Sequence, residues 1–197
     1  MRITGGKYRG RQIKCPPGVI RPAMDRMRES LFSILGDLSG ASFLDLFSGS
    51  GLVGIEAASR GADPVVLVEK DPGKKRTIQQ NLEMVEEETR LYLMPVERFL
   101  RQNKTPFDLV YLDPPFPREQ KVRLVEEVSL KGAVRPGGQV IIHYPEEDLW
   151  PEKVADLILE DRRKYGRSIL LFFRKPLDGQ PREGREERPG DMTPGED

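Results

Sequence analysis

The sequence predicts an α/β fold, a doubly wound and mostly parallel sheet of seven strands, on three observations. Apolar runs of strand length recur at 42–47, 64–69, 90–94, 107–112 and 139–144, with segments of helical length between them. The first run, Phe43-Leu44-Asp45-Leu46, carries a carboxylate near its end and enters Phe47-Ser48-Gly49-Ser50-Gly51-Leu52-Val53-Gly54. A strand, a glycine turn and a helix in that order hold a nucleotide at the carboxyl edge of a parallel sheet. The fourth run carries an acid and two prolines at its end, Asp113-Pro114-Pro115-Phe116, so a second loop faces the same edge.

Taken in order, residues 1–22 mix short alternating segments with Gly5-Gly6, Gly10, Pro16-Pro17-Gly18 and Pro22, which predicts a β-hairpin or extended arm. Met24, Met27, Leu31, Ile34 and Leu35 then recur at helical spacing and predict a helix over 23–35. Arg28 falls beside that stripe, so either its stem snorkels along the core edge or its guanidinium enters the site. Further helices are expected at about 50–60, 72–86 and 118–132, the second with Asp71 as N-cap and Pro72 as first residue. Tyr165-Gly166 reads as the turn of an antiparallel hairpin, strands near 156–164 and 168–174, that closes the sheet edge. The expected division is an arm over 1–22, a main domain over 23–175 and a disordered acidic tail over 176–197, too polar to offset its ordering entropy.

The chain has 197 residues and no run approaching the roughly 20 apolar residues of a membrane span. No apolar run follows the first charges, so the N-terminus does not read as a secretory signal. Cys15 is the single cysteine, which forbids an internal disulfide and suits a reducing, cytoplasmic address. Lys and Arg total 32, as do Asp and Glu, but the balance is uneven. Arg2, Lys7, Arg9, Arg11, Lys14, Arg21, Arg26 and Arg28 crowd the first 30 residues against Asp25 and Glu29. A basic N-terminal segment on a neutral body suits a polyanion such as RNA.

Gly49, Gly51 and Gly54 also satisfy the dinucleotide pattern G-x-G-x-x-G, so the loop alone leaves the cofactor open. Glu69, ending the second strand, is placed to accept from ribose hydroxyls, a device common to NAD and S-adenosylmethionine enzymes. Asp113-Pro114-Pro115-Phe116 decides between them. Proline fixes φ and leaves a carbonyl with no competing N–H, so the loop presents acceptors at a defined place. An exocyclic NH₂ can donate to the Asp113 carboxylate and a proline carbonyl while Phe116 stacks on the base. Such acceptors draw the nitrogen lone pair out of conjugation and aim it at an electrophilic methyl, a reaction that needs chiefly positioning. One cysteine and one histidine, Cys15 and His143, make no metal-ligand cluster, and His143 reads as a structural strand residue.

These motifs, with Arg2-Ile3-Thr4-Gly5-Gly6-Lys7-Tyr8-Arg9-Gly10-Arg11 and Arg21-Pro22-Ala23-Met24-Asp25-Arg26-Met27-Arg28-Glu29-Ser30-Leu31-Phe32, resemble the RsmD family of 16S rRNA guanine-N2 methyltransferases. The resemblance spans roughly residues 1–175, and Lys164-Tyr165-Gly166 is a minor echo of it. It implies a Rossmann-like class I methyltransferase with S-adenosylmethionine as cofactor and 16S rRNA, in a partly or fully assembled small subunit, as substrate. Asp45 and the backbone of Phe47, Ser48, Gly49, Ser50 and Gly51 would hold the methionine and ribose end, with Glu69 and Lys70 at the ribose. Asp113, Pro114, Pro115 and Phe116 would seat a flipped guanine, and Arg2, Lys7, Arg9, Arg11, Arg21, Arg26 and Arg28 would meet rRNA. Neither metal nor membrane is implied, and a monomer is expected.

Two positions depart from the family pattern. Ala23 stands where threonine is usual, and Pro95 stands where an acid or amide often meets the adenine amine, which shifts that contact to the Val96 N–H and Glu97. Adenine-N6 methylation is the alternative within the same chemistry, because one acceptor loop serves either amine. An NAD oxidoreductase would need a hydride-transfer acid/base and a substrate domain that the sequence lacks. A non-catalytic RNA-binding assembly module is the alternative outside enzymes.

Overall fold

The computed structural model describes residues 1–15, 22–115, 118–145 and 149–177. Helix α1 (Pro22–Leu35) precedes β1 (Phe43–Leu46), α2 (Leu52–Ser59), β2 (Val65–Glu69), α3 (Lys75–Leu82), β3 (Thr89–Leu93), α4 (Val96–Gln102) and β4 (Phe107–Leu112). Then come α5 (Arg118–Leu130), β5 (Val134–Pro145), β6 (Lys153–Val154), β7 (Leu157–Tyr165) and β8 (Ser168–Arg174). The strands make one sheet of eight in the order β3-β2-β1-β4-β5-β8-β7-β6. The first five run parallel, and β8, β7 and β6 continue the sheet antiparallel. The eighth strand beyond the expected seven is β6, two residues long and too short for alternation to reveal.

Alternation along the strands sorts the core. Leu44, Leu46, Val66, Val68, Val110, Leu112, Val140 and Ile142 meet Phe99 and Leu100 of α4 and Leu124, Val125 and Val128 of α5 on one face. Phe43, Val65, Leu67, Tyr111, Ile141, Leu170 and Phe172 meet α1 and α2 on the other, through Met27, Leu31, Phe32, Ala57 and Ala58. Helix α1 is rotated relative to the expected stripe: Phe32 is buried and Ile34 is 41% exposed. Asp71 does cap its helix, accepting from the Gly73 N–H at 2.9 Å, but over a 3₁₀ turn, and α3 stops at Leu82 rather than near 86. Helix α4 has seven residues, fewer than two full turns need, which is why no period announced it.

The N-terminal segment is not a regular hairpin. One antiparallel bridge, Arg2 with Gln12, joins its limbs, flanked by Ile3 N–H to Arg11 O at 3.0 Å and Ile13 N–H to Met1 O at 2.8 Å. Ile3, Tyr8 and Ile13 are buried against Leu52 and Ile55 of α2, so residues 1–15 are folded onto the body as a third core. Gly6 is obligatory in this docking: its φ is +75°, and a Cβ there would sit 1.7 Å from the Ser59 carbonyl oxygen. Of the tail expected over 176–197, all but the first two residues lie outside the described residues.

Candidate active site

Residues 45, 69, 111, 113, 141 and 143 share one parity with the strand positions that face α1 and α2. Register then sets their neighbours. Asp45 pairs with Leu67 and Tyr111 across β1, and Leu112 pairs with Ile142 across β4 and β5, so Asp113 comes level with His143 at the carboxyl edge.

The glycine loop is held by its own serine. Ser48 Oγ donates to the Asp45 carbonyl at 2.8 Å and accepts from the Val68 N–H at 3.1 Å, while the Gly51 N–H closes the turn on Ser48 O at 2.8 Å. Phe47 occupies the left-handed region with φ +66°, a conformation that costs a non-glycine residue about 1 kcal/mol or more. Gly54 lets helix α2 start against Asp45: its N–H donates to Asp45 Oδ2 at 3.0 Å, and a Cβ there would lie 3.1 Å from Leu67. Asn81 clips loop to N-terminus, its Nδ2 donating to both Ser50 O at 2.9 Å and Lys14 O at 2.8 Å.

A cleft of about 200 Å³ opens over this loop, lined by Asp45, Phe47, Ser48, Gly49, Ser50 and Asp113 together with Met1, Met27, Arg28, Leu31, Leu52, Val53 and Tyr111. Of the expected cofactor and acceptor residues, Asp45, Phe47, Ser48, Gly49, Ser50 and Asp113 line this cavity. Arg28 is only 4% exposed, so its guanidinium belongs to the interior rather than to the outer surface. It donates to Asp25 Oδ1 at 3.0 Å and to the Arg2 carbonyl at 2.9 Å, and its Nε lies 3.6 Å from Glu56 Oε2. Burial, reinforced by Asp113 and Glu69, pushes the Asp45 carboxyl up to about 7 despite the Gly54 hydrogen bond. The Tyr111 phenol is held well above its ordinary pKa by burial and then by Asp113 and Asp45, so it stays a neutral OH.

Other expected residues lie outside the cleft. Glu69 is 5% exposed and accepts from Gly49 N–H, Asp71 N–H and Lys74 Nζ at 2.9, 2.9 and 3.2 Å, so contact with a ribose would share those oxygens. Lys70 is exposed, Gly51 is buried at the end of the loop, and Val96 and Glu97 begin α4, Val96 being buried. Arg2, Arg9, Arg11 and Arg26 are exposed. Lys7 is engaged by Glu86 at 2.9 Å and Glu87 at 3.3 Å, which raise its pKa. Phe116 and Arg21 lie outside the described residues. Asp113 and His143, which the sequence did not join, are in contact: Nδ1 lies 2.7 Å from Oδ1. Met1, Tyr111 and Asn81 were likewise missed; matching parity along β4 was the available signal for Tyr111 alone.

A parallel sheet with β1 and β4 adjacent at its centre, an antiparallel hairpin at one edge and an acid-flanked glycine loop together define the class I methyltransferase fold. Residues 1–174 match the family described as conserved hypothetical protein 95, and the chain belongs to that family, the RsmD family. It is 39% identical over 187 residues to ribosomal RNA small subunit methyltransferase D of Escherichia coli (strain K12), covering 91% of this chain and 92% of that one. It is 32% identical over 186 residues to YlbH of Bacillus subtilis (strain 168), covering 89% and 99%. The solved structure of the Escherichia coli protein yhhF superposes with a TM-score of 0.81 at 28% identity, covering 90% of this chain and 99% of that one.

Proposed function

We propose that this protein methylates the exocyclic N2 amine of a guanine in small-subunit ribosomal RNA, using S-adenosylmethionine. The observation that carries the reading is the single cleft shared by the Asp45 glycine loop and the Asp113 loop. S-adenosylmethionine would supply an electrophilic methyl together with an ammonium and a carboxylate. The cleft offers complementary charge to each, Asp45 for a cation and Arg28 for an anion, and the loop backbone of Ser48 to Ser50 lies between. Asp113 accepts from the target amine, and the Pro114 and Pro115 carbonyls are the further acceptors. Positioning of this kind is worth several kcal/mol of barrier, and no metal is needed for it. Among the described residues no His, Cys, Asp and Glu group of metal-site size occurs.

The RNA face would combine Arg2, Arg9, Arg11 and Arg26 with the β7–β8 turn. Because Pro145 pairs with Ser168 and Ser168 with Tyr165, that turn sits at the carboxyl edge beside the acceptor loop. Arg162, Arg163, Lys164 and Arg167 are exposed there, three strand spacings or about 14 Å from β4. Phosphate contact by these groups predicts binding that weakens steeply with salt, and salt-independent affinity would remove this part of the reading. The substrate is read as rRNA within a small subunit and the site of action as the cytoplasm, the protein working as a monomer.

The test incubates the protein with labelled S-adenosylmethionine and small-subunit RNA or subunits, then digests to nucleosides. N2-methylguanosine is expected, and N6-methyladenosine as sole product would transfer the reading to the adenine-N6 alternative. Asp113→Ala is expected to abolish methylation while keeping RNA affinity. Unchanged methylation in that variant would take the acceptor role from Asp113, and wild-type protein that binds RNA without turnover would favour a non-catalytic assembly module.

A further inference from the structure

We propose that His143 is a positioning residue that selects which carboxylate oxygen of Asp113 meets the target amine, an inference that rests on the acceptor role proposed above. The Asp113 side chain is 41% exposed and thus loosely packed, whereas the His143 side chain is 14% exposed and anchored inside β5. An ionised carboxylate only accepts, so the hydrogen between Nδ1 and Oδ1, 2.7 Å apart, is carried by the ring. With Oδ1 engaged, Oδ2 is the oxygen left to face a substrate. The constraint comes through the sheet: Leu112 pairs with Ile142 on one side, and His143 pairs with Leu170 on the other. The ring is thereby delivered from rigid strands rather than from a loop.

The far side of the ring supports a role beyond packing. Among the described residues His143 Nε2 is buried without a hydrogen-bond partner. An unpaired buried ring nitrogen is unfavourable, and Val or Leu would fill a strand position between Asp113 and Leu170 without that cost. The ring therefore sacrifices one nitrogen while the other holds Asp113. A Glu or Asp in its place would set two carboxylates against each other, and a Lys would not fix the plane of the carboxylate. A planar donor with one N–H at the Nδ1 position is what the geometry requires.

The experiment measures steady-state methylation and S-adenosylmethionine binding for His143→Ala, His143→Asn and His143→Gln. Misplacing an acceptor by about an ångström costs on the order of a hundredfold in rate, so His143→Ala is expected to lower kcat by about tenfold to a hundredfold. The KM for RNA and the Kd for S-adenosylmethionine are expected to stay within about twofold of wild type on the same argument that the acceptor is misplaced and not the ligands. Asn places its amide nitrogen where Nδ1 lies and should restore most of the rate; Gln places its amide where the unpartnered Nε2 lies and should not. Wild-type kcat in the Ala variant, a loss confined to KM, or equal impairment of folded Asn and Gln variants would each overturn the proposal. Should the Ala variant fail to fold, the Asn and Gln pair decides alone. Full activity of Asp113→Ala would instead overturn the acceptor reading beneath it.

Discussion

Asp45 is the residue at which fold and site are hardest to separate. It lies one residue from the end of core strand β1, anchors the start of α2 through Gly54 and is pushed up to about 7 chiefly by burial. A folded pKa above the unfolded value near 3.9 means that its stabilising contribution is complete below about pH 4 and is lost as pH rises toward 7. Asp45→Asn keeps the acceptor for Gly54 and removes the titration. The expected result is a melting temperature that matches wild type near pH 3.5 and exceeds it by several degrees at pH 8, read by thermal denaturation across that range; parallel curves would refute the assignment. Asp45 and Asp113 were legible in the sequence because an acid closing an apolar run needs no knowledge of neighbours. His143 was not, because its meaning depends on lateral register between two strands separated by a helix.

Helix α2 carries the heaviest duty among the elements, since all of its residues but Val53 are buried. One side lies on β1 and β2, and the other receives the N-terminal segment through Glu56, which is fully buried. Glu56 accepts from the Thr4 N–H at 2.9 Å, the Gly5 N–H at 3.0 Å and Arg60 Nε at 3.3 Å, with Arg28 close by. Glu56→Gln keeps the shape but leaves the buried Arg28 and the partly buried Arg60 short of charge, so a loss of about 3 kcal/mol is expected in urea denaturation. A change below about 0.5 kcal/mol would show the cluster to be energetically idle. The parallel strands and the C-terminal hairpin were readable from alternation and turn residues. The three-way packing around α2 was not, since Thr4-Gly5-Gly6 takes its partners from 50 residues downstream.

At the scale of the molecule, the first 15 residues share a core with helix α2. Read as sequence, that stretch is a basic arm available to RNA; in the fold, Ile3, Tyr8 and Ile13 are buried at 2%, 1% and 3% exposure. Each such side chain is worth about 1.5–3 kcal/mol of burial. Deleting residues 2–15 is therefore expected to lower the melting temperature markedly and to raise dye binding to exposed Leu52 and Ile55. An unchanged melting temperature, with RNA affinity alone reduced, would restore the picture of an independent arm. Charge counting located the segment and its polarity, and missed that Ile3, Tyr8 and Ile13 point inward.

The short β6 has a consequence for how copies of the molecule meet one another. Because β6 pairs only with Leu157 and Ile158, the outer rim of β7 from Asp161 to Tyr165 lies beyond it. An open strand rim of this kind invites a second sheet to dock along it, the first step toward aggregation. Arg162, Arg163 and Lys164 stand on that rim, so two copies approaching strand to strand would bring like charges together. The cations proposed to meet RNA would thus also act as gatekeepers, keeping the sheet from extending itself into a neighbour.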